Sequence, residues 1–206
     1  MTSLLSLPLR DVLDRIAAPT AAPGGGAAAA LAGSLGAAVG AMVALLPRTR
    51  HGTPEERSRL DAAAVALSAH RLALAQLADA DTAAVTTMMA AARANATAPE
   101  DGRRAASLED AAREATRVPL DTARRCSEAL EALRDVAACG ARVARSDVLV
   151  AVSLLKASAD GAASNVRANL PTLTDGAFVR DSTRQLTRAL DGATRAAHDA
   201  LAALQD

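Results

Sequence analysis

The sequence predicts an all-α fold, an antiparallel bundle of about six helices in a single domain spanning residues 1–206. Three observations carry this. No stretch alternates apolar and polar residues in the manner of a half-buried strand. Proline and glycine divide the 206-residue chain into long uninterrupted segments. Half of the residues are apolar, yet there is one Phe and neither Tyr nor Trp. About a quarter are alanine, and an Ala/Leu/Val core favours helices packed at short distance.

The elements follow in order. Residues 7–17 read as a short helix, with Ser6 as its cap and Pro8 in the first turn, where a missing N–H costs little. No basic leader precedes it, so a cytoplasmic location is expected. Pro19 to Gly26 is a loop closing on three consecutive glycines. Residues 25–46 then form an uncharged helix. Its Gly33, Gly36 and Gly40 share one face and would let a neighbouring helix approach closely. The run is long enough to span a bilayer, but Ala, Gly and Ser favour insertion weakly, and neither flank has an aromatic belt. A buried helix is expected, with no membrane.

Thr53 is a suitable N-cap, followed by Pro54, Glu55 and Glu56 at the positive end of the helix dipole. The helix continues to about residue 95. Leu60, Leu67, Leu74, Asp81 and Met88 recur every seven residues on one face. A fourth helix is expected from about Ser107, kinked or broken at Pro119, and stopping at Gly140. A fifth starts at Ser146–Asp147 and ends before Pro171. After a turn at residues 174–176, a last helix fills about 178–204.

Composition excludes some functions. Lys+Arg and Asp+Glu are balanced at 23 each, and aromatic platforms are lacking, which speaks against nucleic-acid binding. Cys126 and Cys139 form no disulfide framework or zinc pattern. His51, His70 and His198 lack metal-type spacing, so no metal is expected.

Polar residues on apolar faces are the candidates for chemistry. Asp81 sits on an apolar seam, where a carboxylate must be paired, protonated or facing a cavity. Such a group suits acid–base work, and equally a buried ion pair. Asp147 shares a helix face with Val150, Leu154, Ser158, Gly161, Asn165 and Asn169. Ser146–Asp147 suits a helix cap and also a catalytic carboxylate. Asn165 and Asn169 suit ligand binding or hydrogen bonds across helices. The Gly24, Gly25 and Gly26 triplet opens a helix whose N–H groups could meet an anion, or it makes a tight turn.

Read together, "APTAAPGGGAAAALAGSLGAAVGAMV", "ADADTAA" at 78–84, "ATRVPLDTARRC" and "RSDVLVAVSLLKASADGAASNVRANL" resemble the cyclodeaminase/cyclohydrolase family, in order and over nearly the whole chain. Ala27 stands where the family carries serine, and Arg48, Arg50 and His51 stand where it has a Lys-rich stretch and Tyr. The resemblance implies a homodimer acting on a folate-type small molecule. It either cyclises formiminotetrahydrofolate with loss of ammonia or hydrolyses methenyltetrahydrofolate to formyltetrahydrofolate, with no cofactor beyond the tetrahydrofolate substrate. It makes Asp147 and Asp81 the candidate acid–base groups. Gly24, Gly25, Gly26, Ser146, Asn165, Asn169, Arg48, Arg50 and His51 become the candidate substrate contacts. This arrangement calls for Asp147 and Asn165 to converge on a folate-sized pocket beside the triplet. Alternatives are a family member redirected to another C–N bond, or a non-catalytic helical dimer.

Overall fold

The computed structural model describes residues 2–46, 52–97 and 102–205. Among these there are six α-helices and no strand. They are α1 (Leu9–Ala17), α2 (Gly25–Leu45), α3 (Pro54–Thr97), α4 (Gly102–Cys139), α5 (Arg145–Asn169) and α6 (Gly176–Ala203). Short 3₁₀ turns precede α1, α5 and α6.

The helix ends follow local chemistry. Thr53 and Glu56 form a reciprocal capping box at the start of α3: the Thr53 N–H donates to Glu56 (2.8 Å) and the Glu56 N–H donates to Thr53 Oγ1 (3.2 Å). Asp175 caps α6 by accepting from the N–H groups of Ala177 and Phe178. Two expected caps differ. Pro8, and not Ser6, occupies the cap position of α1, because residues 4–6 are already wound into a 3₁₀ turn capped by Ser3. Likewise the 3₁₀ turn Arg142–Ala144 runs directly into α5, which makes Ala144 the cap residue and Ser146 the second residue of the helix.

α2 lies between α3 and α5, antiparallel to both. Gly40 faces Leu67 of α3 and Leu133 of α4; Ser34 Oγ donates to the Arg71 carbonyl at 2.9 Å; Gly26 faces Asp81. On the other flank Gly36 lies against Ala151 and Leu155, and Gly33 against Ser158. The absent side chains let the helices approach: a Cβ on Gly36 would stand 2.9 Å from Leu155 Cγ. The Ser158 hydroxyl fastens this seam by donating to the Ala29 carbonyl at 2.6 Å. Leu60, Leu67, Leu74, Leu130, Leu133 and Leu155 fill the core behind it. Cys126 is buried there, and burial pushes its thiol up to about 12, so it packs as a small apolar group.

α4 is longer than expected. It begins at Gly102 and passes through Pro119 without a break. Proline cannot donate to the carbonyl four residues before it, here that of Ala115. Asn169 Nδ2 donates to this carbonyl instead, at 2.7 Å. A side chain at the end of α5 therefore replaces the bond that α4 lost.

Past Ala84 no residue of α3 is buried, nor any described residue of α4 before Ala111. These segments extend beyond the first turn of α2. α2 is also the one helix among the described residues long and apolar enough to cross a membrane, and half of its most apolar window is buried inside the fold.

Candidate functional site

The start of α2 is built around Asp81. Asp81 projects from the middle of α3, on the same seven-residue stripe as Leu60, Leu67 and Leu74, and is 7% exposed. The Ala27 N–H, in the first turn of α2, bonds to its carboxylate. Gly26 makes the approach possible: a Cβ there would lie 2.5 Å from Asp81 Cγ and 2.6 Å from Oδ2. Asp81 has no cationic partner among the described residues. Burial pushes its pKa up, and the Ala27 N–H draws it partly back. A carboxylate so placed can hold a proton nearer neutrality than a free one, and the helix start stabilises it when ionised.

The glycines divide the work. Gly24 is the extended residue that caps α2, with no side-chain cap bond. A Cβ on Gly25 would meet nothing within 4 Å, so Gly25 borders open space. Gly26 is committed to Asp81, so of the triplet it is Gly25 that faces outward. Ala27 is fully buried against the small cluster of Leu4, Ala30 and Ala78.

The other candidates are distributed unequally. In the register set by Ala29 with Gly161 and Ser158, Asn165 comes level with Gly25. Its amide, however, donates back to the Gly161 carbonyl at 3.0 Å, and that of Asn169 is spent on Ala115. Their donors act within and between helices. Asp147 and Ser146 are at the opposite end of α5, eighteen residues from Asn165, or about 27 Å along the axis. Asp147 is in the first turn, where it complements the helix dipole. The convergence of Asp147 with Asn165 beside the triplet does not occur within one chain, because that length of helix separates them, and with α5 antiparallel to α2 only Asn165 comes level with the triplet. Arg48, Arg50 and His51 lie outside the described residues.

Two cavities lie along this part of α3, and neither is lined by Asp81, by a glycine of the triplet, or by Asp147 or Asn165. The first, about 610 Å³, is enclosed by the N-terminal turn, the end of α1, the loop ending at Pro23, and Asp79, Thr82 and Ala83 of α3. Asp79 ties these parts together by accepting from Ser3 Oγ (2.5 Å) and the Leu4 N–H (2.7 Å). The second, about 560 Å³, lies among Leu77 and Ala80 of α3, Arg117 and Val118 of α4, and Phe178 of α6. The Arg117 guanidinium sits 5.3 Å from the Phe178 ring centre. Both volumes are in the range of small-molecule sites. Neither Arg15, at the mouth of the first cavity, nor Phe178 stood out in the sequence. Arg15 lies on a short amphipathic helix where a cation is ordinary, and Phe178 is a lone apolar residue near a turn.

Comparison with known proteins gives a consistent picture. The family model of formiminotransferase-cyclodeaminase matches residues 8–188. The chain is 36% identical over 177 residues to the formimidoyltransferase-cyclodeaminase of Sus scrofa, covering 85% of this chain and 33% of that protein. It is 33% identical over 179 residues to the methenyltetrahydrofolate cyclohydrolase of Methylorubrum extorquens, covering 86% of each. The crystal structure of formiminotetrahydrofolate cyclodeaminase from Thermotoga maritima superposes with a TM-score of 0.87 at 25% identity, covering 98% of both chains. The chain spans about a third of the length of the bifunctional relatives that it matches.

Proposed function

The chain belongs to the formiminotransferase-cyclodeaminase family, and from that membership we propose that it is an enzyme of folate one-carbon interconversion, with Asp81 as its acid–base group. The observation that carries this reading is the buried carboxylate of Asp81, paired with no cation among the described residues and held at the start of α2 by the Ala27 N–H.

The chemistry asks for such a group. In cyclisation, N10 of formiminotetrahydrofolate attacks the formimino carbon. The resulting tetrahedral carbon bears N5, N10 and an amino group. One proton leaves N10, the amino nitrogen is protonated, and ammonia departs to leave the methenyl bridge. In hydrolysis, water adds to the methenyl carbon and loses a proton. A C–N bond then breaks as its nitrogen is protonated, giving the formyl product. Either route moves a proton between two nearby atoms, and one carboxylate of raised pKa can take it and return it. The exposed helix start at Gly25 adds a positive partial charge beside the reacting centre.

The test is direct. Purified protein is mixed with methenyltetrahydrofolate or formiminotetrahydrofolate, and methenyl absorbance is followed against the uncatalysed rate. Acceleration of either reaction, lost in Asp81→Asn, supports the reading; no acceleration of either overturns it.

The protein is further read as a homodimer. Leu35 and Met42 on the outer side of α2, with Leu72 and Val65 level with them on α3, are 42–73% exposed. They form an apolar ribbon along the α2–α3 seam, beside a helix without charge. Contiguous apolar surface of this kind marks association, and the family resemblance makes a second copy its occupant.

A further inference from the structure

The cavity bounded by the N-terminal turn, α1 and α3 has one unusual feature in its polar lining. Almost every fixed polar group around it is already committed. Asp79 accepts from Ser3 and Leu4, Thr82 Oγ1 donates to the Ala78 carbonyl (3.0 Å), and Thr20 Oγ1 to the Ala22 carbonyl (3.4 Å). Of the two charged side chains in the lining, Asp79 and Arg15, the latter is the one left over. It lines the cavity, and its guanidinium makes no hydrogen bond or ion pair with a described residue. In the second cavity the cations are satisfied: Arg117 lies 3.6 Å from Glu114, and Arg124 bonds Asp121. A slot with apolar walls and a single uncompensated guanidinium suits a flat organic body ending in a carboxylate, because guanidinium and carboxylate match in planar, bidentate geometry.

Asp81 itself does not line the cavity, but its chain neighbours do. Thr82 and Ala83 directly follow Asp81 on α3, and Ala22 and Pro23 lead into the Gly24 cap of α2.

We propose that Arg15 is the carboxylate anchor of the substrate site, gripping the glutamate end of a folate-type substrate. This rests on the folate reading above and adds which end of the ligand lies where. It makes Arg15 a specificity residue that acts on binding and not on the proton transfer.

The experiment compares folic acid with its uncharged α,γ-diamide by isothermal titration, using the full chain and the variants Arg15→Ala and Arg15→Lys. Arg15 is exposed, so circular dichroism should show both variants folded. The expected result is that the wild type prefers folic acid to the diamide by about tenfold or more. Arg15→Ala should remove that preference without weakening diamide binding, and Arg15→Lys should keep part of it. Equal binding of folic acid and diamide by the wild type, or an undiminished preference in Arg15→Ala, overturns the anchor and leaves the folate reading standing. Failure of the wild type to bind either compound overturns both.

Discussion

Gly26 and Asp81 occupy each other's space: the carboxylate of Asp81 fills the position that a side chain on residue 26 would take, and the next N–H of α2, that of Ala27, bonds to it. Adding a methyl group at residue 26 must move Asp81 off that N–H. Gly26→Ala is expected to cost about 1–3 kcal/mol, as overpacking of a tight interior does, and to lower turnover with it. Gly25→Ala, one residue away and facing open space, should leave stability unchanged or raise it by up to about 1 kcal/mol. Urea denaturation of the two variants separates them; equal effects would mean that Asp81 is not held as described.

Asp81→Asn should reduce kcat by at least about 10²-fold, the scale of general acid–base catalysis, and should also stabilise the fold. The sign follows from the raised pKa of Asp81, whose first cause is burial. Ionising this group costs more in the folded state than in the unfolded one. The penalty is absent below the ordinary carboxylate range, grows as pH rises through the folded pKa, and is fully present above it. Asn carries no such penalty, so the variant should melt higher than the wild type at pH 7, by about 2–4 °C for each kcal/mol gained. The gain should vanish at pH 3. A lower melting temperature at pH 7 would contradict the burial of an unpaired charge.

Asp147→Asn discriminates between the two ends of α5. With the acid–base group at Asp81, this variant should change kcat/KM by less than about threefold, the effect of an altered charge in a helix first turn. A loss as large as that of Asp81→Asn, measured in the same absorbance assay, would show that Asp147 takes part, which within this geometry requires a site shared between two copies.

The Pro119–Asn169 arrangement predicts a measurable coupling. Asn169→Ala leaves the Ala115 carbonyl without its donor and should cost about 1–3 kcal/mol. With Pro119→Ala in the background, residue 119 regains an N–H and can serve that carbonyl from within α4. The same Asn169→Ala change should then cost at least about 1 kcal/mol less. A double-mutant cycle in urea reads the difference; additive costs would show that Asn169 does not compensate for the proline.

Leu35→Glu combined with Val65→Glu tests the apolar ribbon. Light scattering should give twice the 20.8 kDa chain mass for the wild type and a single chain mass for the double variant. A monomeric wild type would remove the homodimer reading.

Much of this architecture was legible in the sequence because its causes are local. The capping box of Thr53 and Glu56 and the heptad of leucines in α3 are written in residues a few positions apart. The same is true of the turn before α6. That α4 continues unbroken through Pro119 was not legible, because the group that serves the freed carbonyl, Asn169, lies fifty residues away in the chain. Ser146 was misread as a cap because a 3₁₀ turn and a helix share a continuous winding that residue type alone does not separate.

By itself, the sequence determined the helical class, the position of nearly every helix, the family resemblance and the anomaly of a carboxylate on the apolar seam at Asp81. Periodicity, caps and motifs are properties of contiguous residues. The tertiary structure decided what that carboxylate meets, which glycine makes room for it, and which of the proposed polar residues share its end of the bundle. It also revealed Arg15 at the mouth of a cavity. Those relations depend on α2 running antiparallel to both α3 and α5, which brings Gly26 to Asp81 and carries Asp147 away from both, and no spacing along the chain encodes that direction.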